Sequence, residues 1–114
     1  MEENYDDLEL QENLDYLLTS LENALYEADN LDDNTYLELS KEEIIAYLNE
    51  AYESIKNWSY DYNYKVFDSI KSDYSRVEAL ISELELCLAD YETTFHMDSI
   101  SYTLFQIGQN LSNI

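Results

Sequence analysis

The stretch from Phe67 to Phe95 reads FDSIKSDYSRVEALISELELCLADYETTF, and its apolar residues recur at alternating intervals of three and four. This spacing is typical of the buried stripe of one long amphipathic helix, because three and four residues bracket the 3.6-residue helical turn. The stripe comprises Phe67, Ile70, Tyr74, Val77, Ile81, Leu84, Leu88, Tyr91 and Phe95. A helix cannot bury such a stripe alone, so the pattern predicts that other helices pack against it.

Segments on both sides of this stretch carry matching stripes. A first helix is predicted within residues 1–33, and its stripe consists of Leu10, Leu14, Leu17, Leu21, Ala24, Ala28 and Leu31. A fourth helix is predicted within residues 96–114, with a stripe of Met97, Ile100, Leu104, Ile107, Leu111 and Ile114. We expect Asp98 to be its N-cap. Gly108 lies inside the fourth helix, where glycine costs about 1 kcal/mol relative to alanine.

The second helix has the clearest start signal. Ser40 followed three residues later by Glu43 predicts a capping box, in which each side chain bonds the other residue's backbone N–H. Leu39 and Ile44 flank the box as a hydrophobic staple. The helical pattern continues to Trp58, after which WSYDYNY (58–64) allows an extended connector or a third helix that begins as early as residue 59.

These patterns predict an all-α fold: one domain, residues 1–114, built as an antiparallel bundle of about four helices. One glycine and no proline support this class, because β-rich folds need more turn residues. The third helix is predicted to run to about Thr94, which makes it longer than the others. The extra length allows three possibilities: the helix bends, it splits near residues 72–75, or it projects and pairs with a second copy of the chain.

Charge is the most unusual feature of the composition. The chain has 26 Asp and Glu against 5 Lys and Arg, a formal net charge of −21. Direct binding to nucleic acid or to an anionic membrane is disfavoured, because like charges repel. A basic protein partner is favoured. A hydrophobic content of 46% argues against disorder.

No catalytic or metal-binding motif accompanies the charge. Cys87 and His96 are the only residues of their types, so a disulfide within the chain is excluded and a Cys–His nucleophile pair has little support. No Glu-x-x-His pair or calcium-binding loop occurs. We therefore expect no enzyme activity, no cofactor and no specific metal. The N-terminus lacks the features of a signal peptide, and no apolar run approaches about 20 residues, so the chain is predicted to be cytoplasmic.

Acidic residues repeat at intervals of seven along two predicted helices. On the first helix the line includes Asp15, Glu22 and Asp29, and on the third it includes Glu78 and Glu85. If these helices lie side by side, they present parallel rows of carboxylates with about 10 Å between residues in a row. The residues predicted to bind a partner are Glu9, Glu12, Asp15, Glu22, Glu27, Asp29, Asp32, Asp33, Glu78, Glu83, Glu85, Asp90 and Glu92. Exposed tyrosines are expected to anchor the contact: Tyr16, Tyr26 and Tyr102.

In size, acidity and helicity the chain resembles the small DNA-mimic inhibitors that phages and mobile elements use against restriction enzymes, CRISPR nucleases and repair glycosylases. The resemblance covers the whole chain and rests on no motif. It implies an anti-CRISPR or anti-restriction inhibitor, monomeric or homodimeric, that occupies the basic nucleic-acid groove of a host defence protein. An alternative is an immunity protein or antitoxin that neutralises a basic toxin through its acidic face. A third is an acidic bundle surface that serves only solvation.

Overall fold

The computed structural model describes residues 5–32, 38–89 and 95–114, with side chains from Leu8 onward. Four helices make up this part of the chain: α1 (Tyr5–Asp29), α2 (Lys41–Asn63), α3 (Phe67–Cys87) and α4 (Met97–Ser112). No strand occurs among the described residues, so the predicted all-α class is confirmed. The molecule measures 57 × 22 × 19 Å and is elongated along its helices.

The predicted start of α2 is confirmed in detail. The backbone N–H of Glu43 donates to the Ser40 hydroxyl at 3.1 Å, and the Ser40 N–H donates to Glu43 Oε1 at 2.9 Å. Both halves of the capping box are therefore present. Ile44 is fully buried and Leu39 packs against the core, as expected of a hydrophobic staple.

The aromatic stretch after Trp58 is the last part of α2, so both alternatives for it were wrong. Trp58 and Tyr62 are four residues apart and both are buried, which keeps the segment on the helical stripe through Asn63. The connection to α3 is only residues 64–66. Lys65 takes a left-handed backbone conformation there, with φ of 59°, and this turns the chain sharply.

The third helix is shorter than predicted and is not split. It runs without interruption through residues 72–75 and ends at Cys87, seven residues before the expected Thr94. The N–H of Leu88 makes the final helical bond, to the carbonyl of Leu84 at 2.8 Å. Leu88 and Phe95 are nevertheless buried, so the apolar stripe continues beyond the end of the helix. Tyr91 lies outside the described residues.

The fourth helix begins two residues earlier than the predicted cap implied. His96 is the N-cap, with φ of 54°, and no side chain caps the helix there. Asp98 is instead inside the first turn, where its Oδ1 accepts a hydrogen bond from the N–H of Ser99 at 2.8 Å.

Each helix packs against two neighbours. α1 contacts α2 and α4, and α3 also contacts α2 and α4, so α1 and α3 occupy diagonal corners. The shared core holds these buried apolar side chains: Leu10, Leu14, Leu17, Leu21, Ala24, Ala28, Ile44, Leu48, Ala51, Ile55, Trp58, Tyr62, Ile70, Val77, Ile81, Leu84, Leu88, Phe95, Met97, Ile100, Leu104, Ile107 and Leu111. The predicted stripes therefore meet in one core.

Candidate partner-binding surface

Acidic residues are distributed unevenly among the four helices. α1 contains eight Asp and Glu and no Lys or Arg. α2 and α3 each contain five acids and two bases, and α4 contains a single acid, Asp98. At about 1.5 Å of rise per residue, α1 carries about one carboxylate per 4.7 Å of its axis. One strand of duplex DNA carries about one phosphate per 3.4 Å.

Averaged over the molecule, the charge is much more dilute. The accessible surface of 6857 Å² carries 21 net negative charges, or about 330 Å² for each. Duplex DNA, treated as a cylinder about 10 Å in radius, has roughly 110 Å² per charge. Among the four described helices, only α1 approaches the linear charge density of a nucleic-acid strand.

One flank of α1 faces α2 and carries the predicted line of acids. Asp15 lines a small cleft together with Ser59 of α2. Glu22 accepts a hydrogen bond from the hydroxyl of Tyr52 on α2 at 2.9 Å, and this bond raises the pKa of Tyr52. Asp29 follows Glu22 by seven residues and so continues the line along the helix. All three acids are exposed.

The other flank of α1 faces α4. Glu9 Oε1 accepts a hydrogen bond from Asn110 Nδ2 at 3.1 Å, and Asn110 Oδ1 accepts one from Asn13 at 2.7 Å. Glu27 follows Glu9 by eighteen residues, which is five full turns, and therefore lies on the same flank. Its Oε1 atom is buried with no hydrogen-bond partner in the described part of the chain. Glu12 is exposed between the two flanks.

The predicted surface joining α1 and α3 is not formed, because the two helices lie on a diagonal. Glu78 and Glu83 are exposed on α3, the helix that lies diagonally opposite α1. Glu85 is half-buried and accepts a hydrogen bond from the hydroxyl of Ser101 on α4 at 3.1 Å. Because α1 and α3 lie at diagonal corners of the bundle, a flat partner cannot cover the outward-facing acids of both helices.

The remaining predicted acids belong to the connections. Asp32 is exposed just after α1 and extends the acidic surface of that helix. Asp33, Asp90 and Glu92 lie outside the described residues. The first helix and the residues just after it therefore hold seven of the predicted positions that the structure describes.

Arg76 and Lys41 make hydrogen bonds to neighbouring elements, and Lys41 does so beside the end of α1. Arg76 of α3 forms ion pairs with Asp73 and with Glu50 of α2, and it also bonds the hydroxyl of Ser54. The bond to Asp73 is the largest cause of the raised pKa of Arg76. Lys41 Nζ donates to the carbonyl of Leu31 at 3.3 Å.

Two lysines lie at the end of the bundle formed by the α2–α3 connection. Lys65 Nζ is placed over the rings of Tyr62 and Phe67, 4.6 and 5.7 Å from their centres. Lys71 lines two shallow depressions, one of them shared with Lys65 and Ile114. No base occurs on α1 or α4 to neutralise the acidic surface.

The three tyrosines predicted as anchors are exposed. Tyr16 and Tyr26 are on α1, with 52% and 74% of their surface accessible, and Tyr102 is on α4. Further exposed aromatic and apolar side chains were not predicted from the sequence patterns. Tyr60 and Tyr64 pair at the end of α2, with ring centres 4.7 Å apart. Other large apolar side chains that are exposed are Leu8, Val66, Leu86, Phe105 and Ile114.

Potential metal ligands are dispersed over the described part of the chain. Within residues 5–32, 38–89 and 95–114, no group of three or more His, Cys, Asp and Glu side chains could hold a metal ion. Cys87 is a half-buried free thiol at the end of α3, and His96 is exposed at the start of α4. The depressions on the surface are shallow, with volumes of about 80 to 380 Å³. None of the four helices is both long and apolar enough to cross a membrane.

No protein-family model, no curated protein and no solved structure matches this chain.

Proposed function

We propose that this chain is a DNA-mimic inhibitor, and that the outer surface of α1 occupies the basic nucleic-acid-binding groove of a host defence protein. A CRISPR effector or a restriction enzyme in the cytoplasm of the host cell is the partner class that fits. The observation that carries the proposal is the charge of α1, which has eight acids and no base along one helix.

The linear charge density of α1 supports this choice of surface. A groove that binds a phosphate backbone presents Lys and Arg at intervals set by the phosphates, and α1 offers carboxylates at a similar spacing. Glu12, Asp15 and Asp29 have no ion-pair partner within the described residues, so their charge is available to such a groove. Opposite charge also accelerates association.

Exposed aromatic residues on the same helix add contact energy. Tyr16 and Tyr26 flank the acids of α1, and tyrosine is enriched among the residues that dominate interface energies. A phosphate backbone has no equivalent, so these side chains would distinguish the inhibitor from duplex DNA. Tight binding then combines a salt-sensitive part from the acids and a salt-insensitive part from the tyrosines.

We also propose that neighbouring helices run antiparallel. Residues on facing helices pair in opposite order: Asp61 with Ser69, and Ser54 with Arg76 further from the connection. The short connection at residues 64–66 favours the same arrangement.

The test is capture of a partner from host lysates with this protein as bait, followed by parallel elution with duplex DNA and with salt. Release of a nucleic-acid enzyme by duplex DNA supports the proposal. A partner that resists excess duplex and leaves with salt rejects the mimic and favours an immunity protein or antitoxin. A partner that resists both rejects every reading based on charge.

Two matched triple variants test whether α1 is the surface that contacts the partner. Glu12→Gln, Asp15→Asn and Asp29→Asn together remove three charges from α1, and we expect binding to weaken on the order of tenfold or more at low salt. The control removes three exposed acids of α2 and α3: Glu53→Gln, Glu78→Gln and Glu83→Gln. Equal weakening by the two triple variants would show that only net charge matters and would reject α1 as the contact surface.

A further inference from the structure

The outward face of α4 differs from every other surface of the bundle. We call it the α4 stripe, and it consists of Asp98, Tyr102, Phe105, Gln109 and Ser112. Tyr102 is 65% and Phe105 is 53% exposed. The opposite face of α4 supplies its core residues from Met97 to Leu111, so the bundle does not need these two aromatics for its own packing. The stripe carries one acid and no base.

We propose that the α4 stripe is the contact surface between two copies of this chain, with the two α4 helices packed antiparallel about a two-fold axis. The proposal goes beyond the inhibitory function and does not require it. Of the four described helices, α4 carries the fewest charges, a single acid in a chain with a net charge of −21, and a second copy of the chain would cover its exposed face.

The sequence of the stripe is self-complementary in this arrangement. A two-fold contact requires that if residue i meets residue j of the second copy, then j meets i. With the axis between Phe105 and Gln106, Tyr102 meets Gln109 of the second copy, so a hydroxyl meets an amide. The two Phe105 rings come close to the axis. Asp98 meets the polar end of the second α4 near Asn113, and the two copies of Asp98 stay apart.

Electrostatics favours this face over the others. Contact through the outer face of α1 would bring its exposed acids, Glu12 among them, against the same acids of the second copy. The outer faces of α2 and α3 also carry exposed acids such as Glu53 and Glu83. Contact through α4 brings one acid from each copy. A partner of opposite charge would choose α1 instead, because α4 offers it almost no charge to pair with.

The small size of the α4 stripe determines how strong a dimer we expect. A stable interface buries about 800 Å² on each partner. The helix α4 is only about 24 Å long. With so small an area we expect a weak dimer, formed in the micromolar range.

Salt dependence separates this association from binding to a basic partner. The two copies repel each other at long range, so screening should strengthen the dimer as salt rises. Binding of the acidic α1 surface to a basic groove should weaken over the same range. Failure of one proposal therefore leaves the other unaffected.

The experiment is sedimentation analysis of the full chain under reducing conditions, from low to high micromolar concentration, at about 0.05 M and about 1 M NaCl. We expect a monomer–dimer equilibrium that shifts toward dimer at high salt. Phe105→Glu should weaken dimerisation at least tenfold. Tyr26→Glu adds the same charge at an exposed aromatic of α1 and should leave the dimer intact. Circular dichroism verifies that both variants retain their helices.

Several results would overturn the proposal. A monomer at every concentration in high salt would do so, and so would a dimer that weakens as salt rises. Equal effects of Phe105→Glu and Tyr26→Glu would place the contact elsewhere. A monomer in which Phe105→Glu instead abolishes capture of a host protein would assign the α4 stripe to that partner.

Discussion

The hydroxyl of Tyr74 on α3 donates a hydrogen bond to the backbone carbonyl of Leu104 on α4, at a distance of 2.8 Å. This bond places the tyrosine ring directly over Gly108. A β-carbon built at position 108 would lie 2.6 Å from the Tyr74 hydroxyl oxygen and 2.8 Å from Cζ. The single glycine of the chain is therefore inside a helix because a neighbouring side chain occupies the space of its missing methyl group.

Gly108→Ala should destabilise the protein despite the higher helix propensity of alanine. The propensity gain of about 1 kcal/mol is opposed by displacement of Tyr74, which costs its hydrogen bond and its packing against Trp58. We expect a net loss of about 1 kcal/mol in the free energy of unfolding, measured in urea. In a Tyr74→Ala background the same change should stabilise. Stabilisation in both backgrounds would contradict the steric explanation.

Tyr74 should also contribute to the loss of stability at alkaline pH. Burial raises its pKa above the ordinary 10.0, with a smaller contribution from Glu78. The folded state thus keeps the phenol neutral at a pH where the unfolded chain ionises it. Its contribution is fully present below about pH 10 and is lost as pH rises through the raised pKa.

Tyr74→Phe tests this linkage. The variant should be less stable at neutral pH because the bond to Leu104 is lost, and its deficit relative to wild type should shrink as pH rises past 10. Urea unfolding at a series of pH values measures the deficit. The comparison variant is Tyr102→Phe, which changes an exposed ring. A Tyr74→Phe deficit that stays constant with pH would contradict the role assigned to burial.

Asp73 of α3 accepts hydrogen bonds from Trp58 of α2 and from Arg76 of its own helix. Its Oδ2 accepts from the buried Trp58 indole at 3.0 Å, and its Oδ1 accepts from Arg76 Nε at 2.9 Å. Asp73→Ala leaves the indole N–H without its acceptor, and we expect a loss of about 1–3 kcal/mol in unfolding free energy. Asp73→Asn keeps an acceptor and should cost less. Glu83→Ala, an exposed acid of the same helix, is the control; an equal loss there would rule out the network as the cause.

Ser40→Ala should cost about 1 kcal/mol, because it removes the acceptor for the N–H of Glu43 at the start of α2. Ser82→Ala is the matched change at an exposed position in the middle of α3, where alanine is the better helix former. Thermal or urea unfolding should give opposite signs for the two variants. The same sign for both would show that the capping box is not formed in solution.

Removing the charge of an acidic side chain should raise or lower the stability of the fold, depending on whether that side chain has a basic partner. Glu12 has no ion-pair partner within the described residues, so Glu12→Gln should relieve repulsion and stabilise by a few tenths of a kcal/mol at low salt. Glu50 pairs with Arg76, so Glu50→Gln should destabilise by a similar amount. Both effects should fade in high salt. Salt-independent differences would mean that packing, and not charge, causes them.

Local signals in the sequence correctly identified much of the fold. The stripes from Leu10 and from Ile44 formed helices because apolar residues at helical spacing can all be buried on one side. The Ser40–Glu43 box formed because all its atoms lie within one turn. Local signals failed at the end of α3, since Leu88 and Phe95 keep the helical spacing whether or not the helix continues between them. They also failed at residues 58–64, where alternating aromatics resemble an extended segment.

The sequence by itself determined that the chain is helical and strongly acidic, and that α1 carries acids with no base, because composition and periodicity are properties of each segment alone. The tertiary structure decided which acids share a surface. It placed α1 and α3 on a diagonal, which separates Asp15 from Glu78, and it left the nearly uncharged outer face of α4 exposed to solvent. The physical reason is that neighbour relations among helices depend on how distant stripes pack together, and a periodic pattern fits more than one arrangement. The same applies to Gly108, whose role became evident only when Tyr74, from another helix, was found above it.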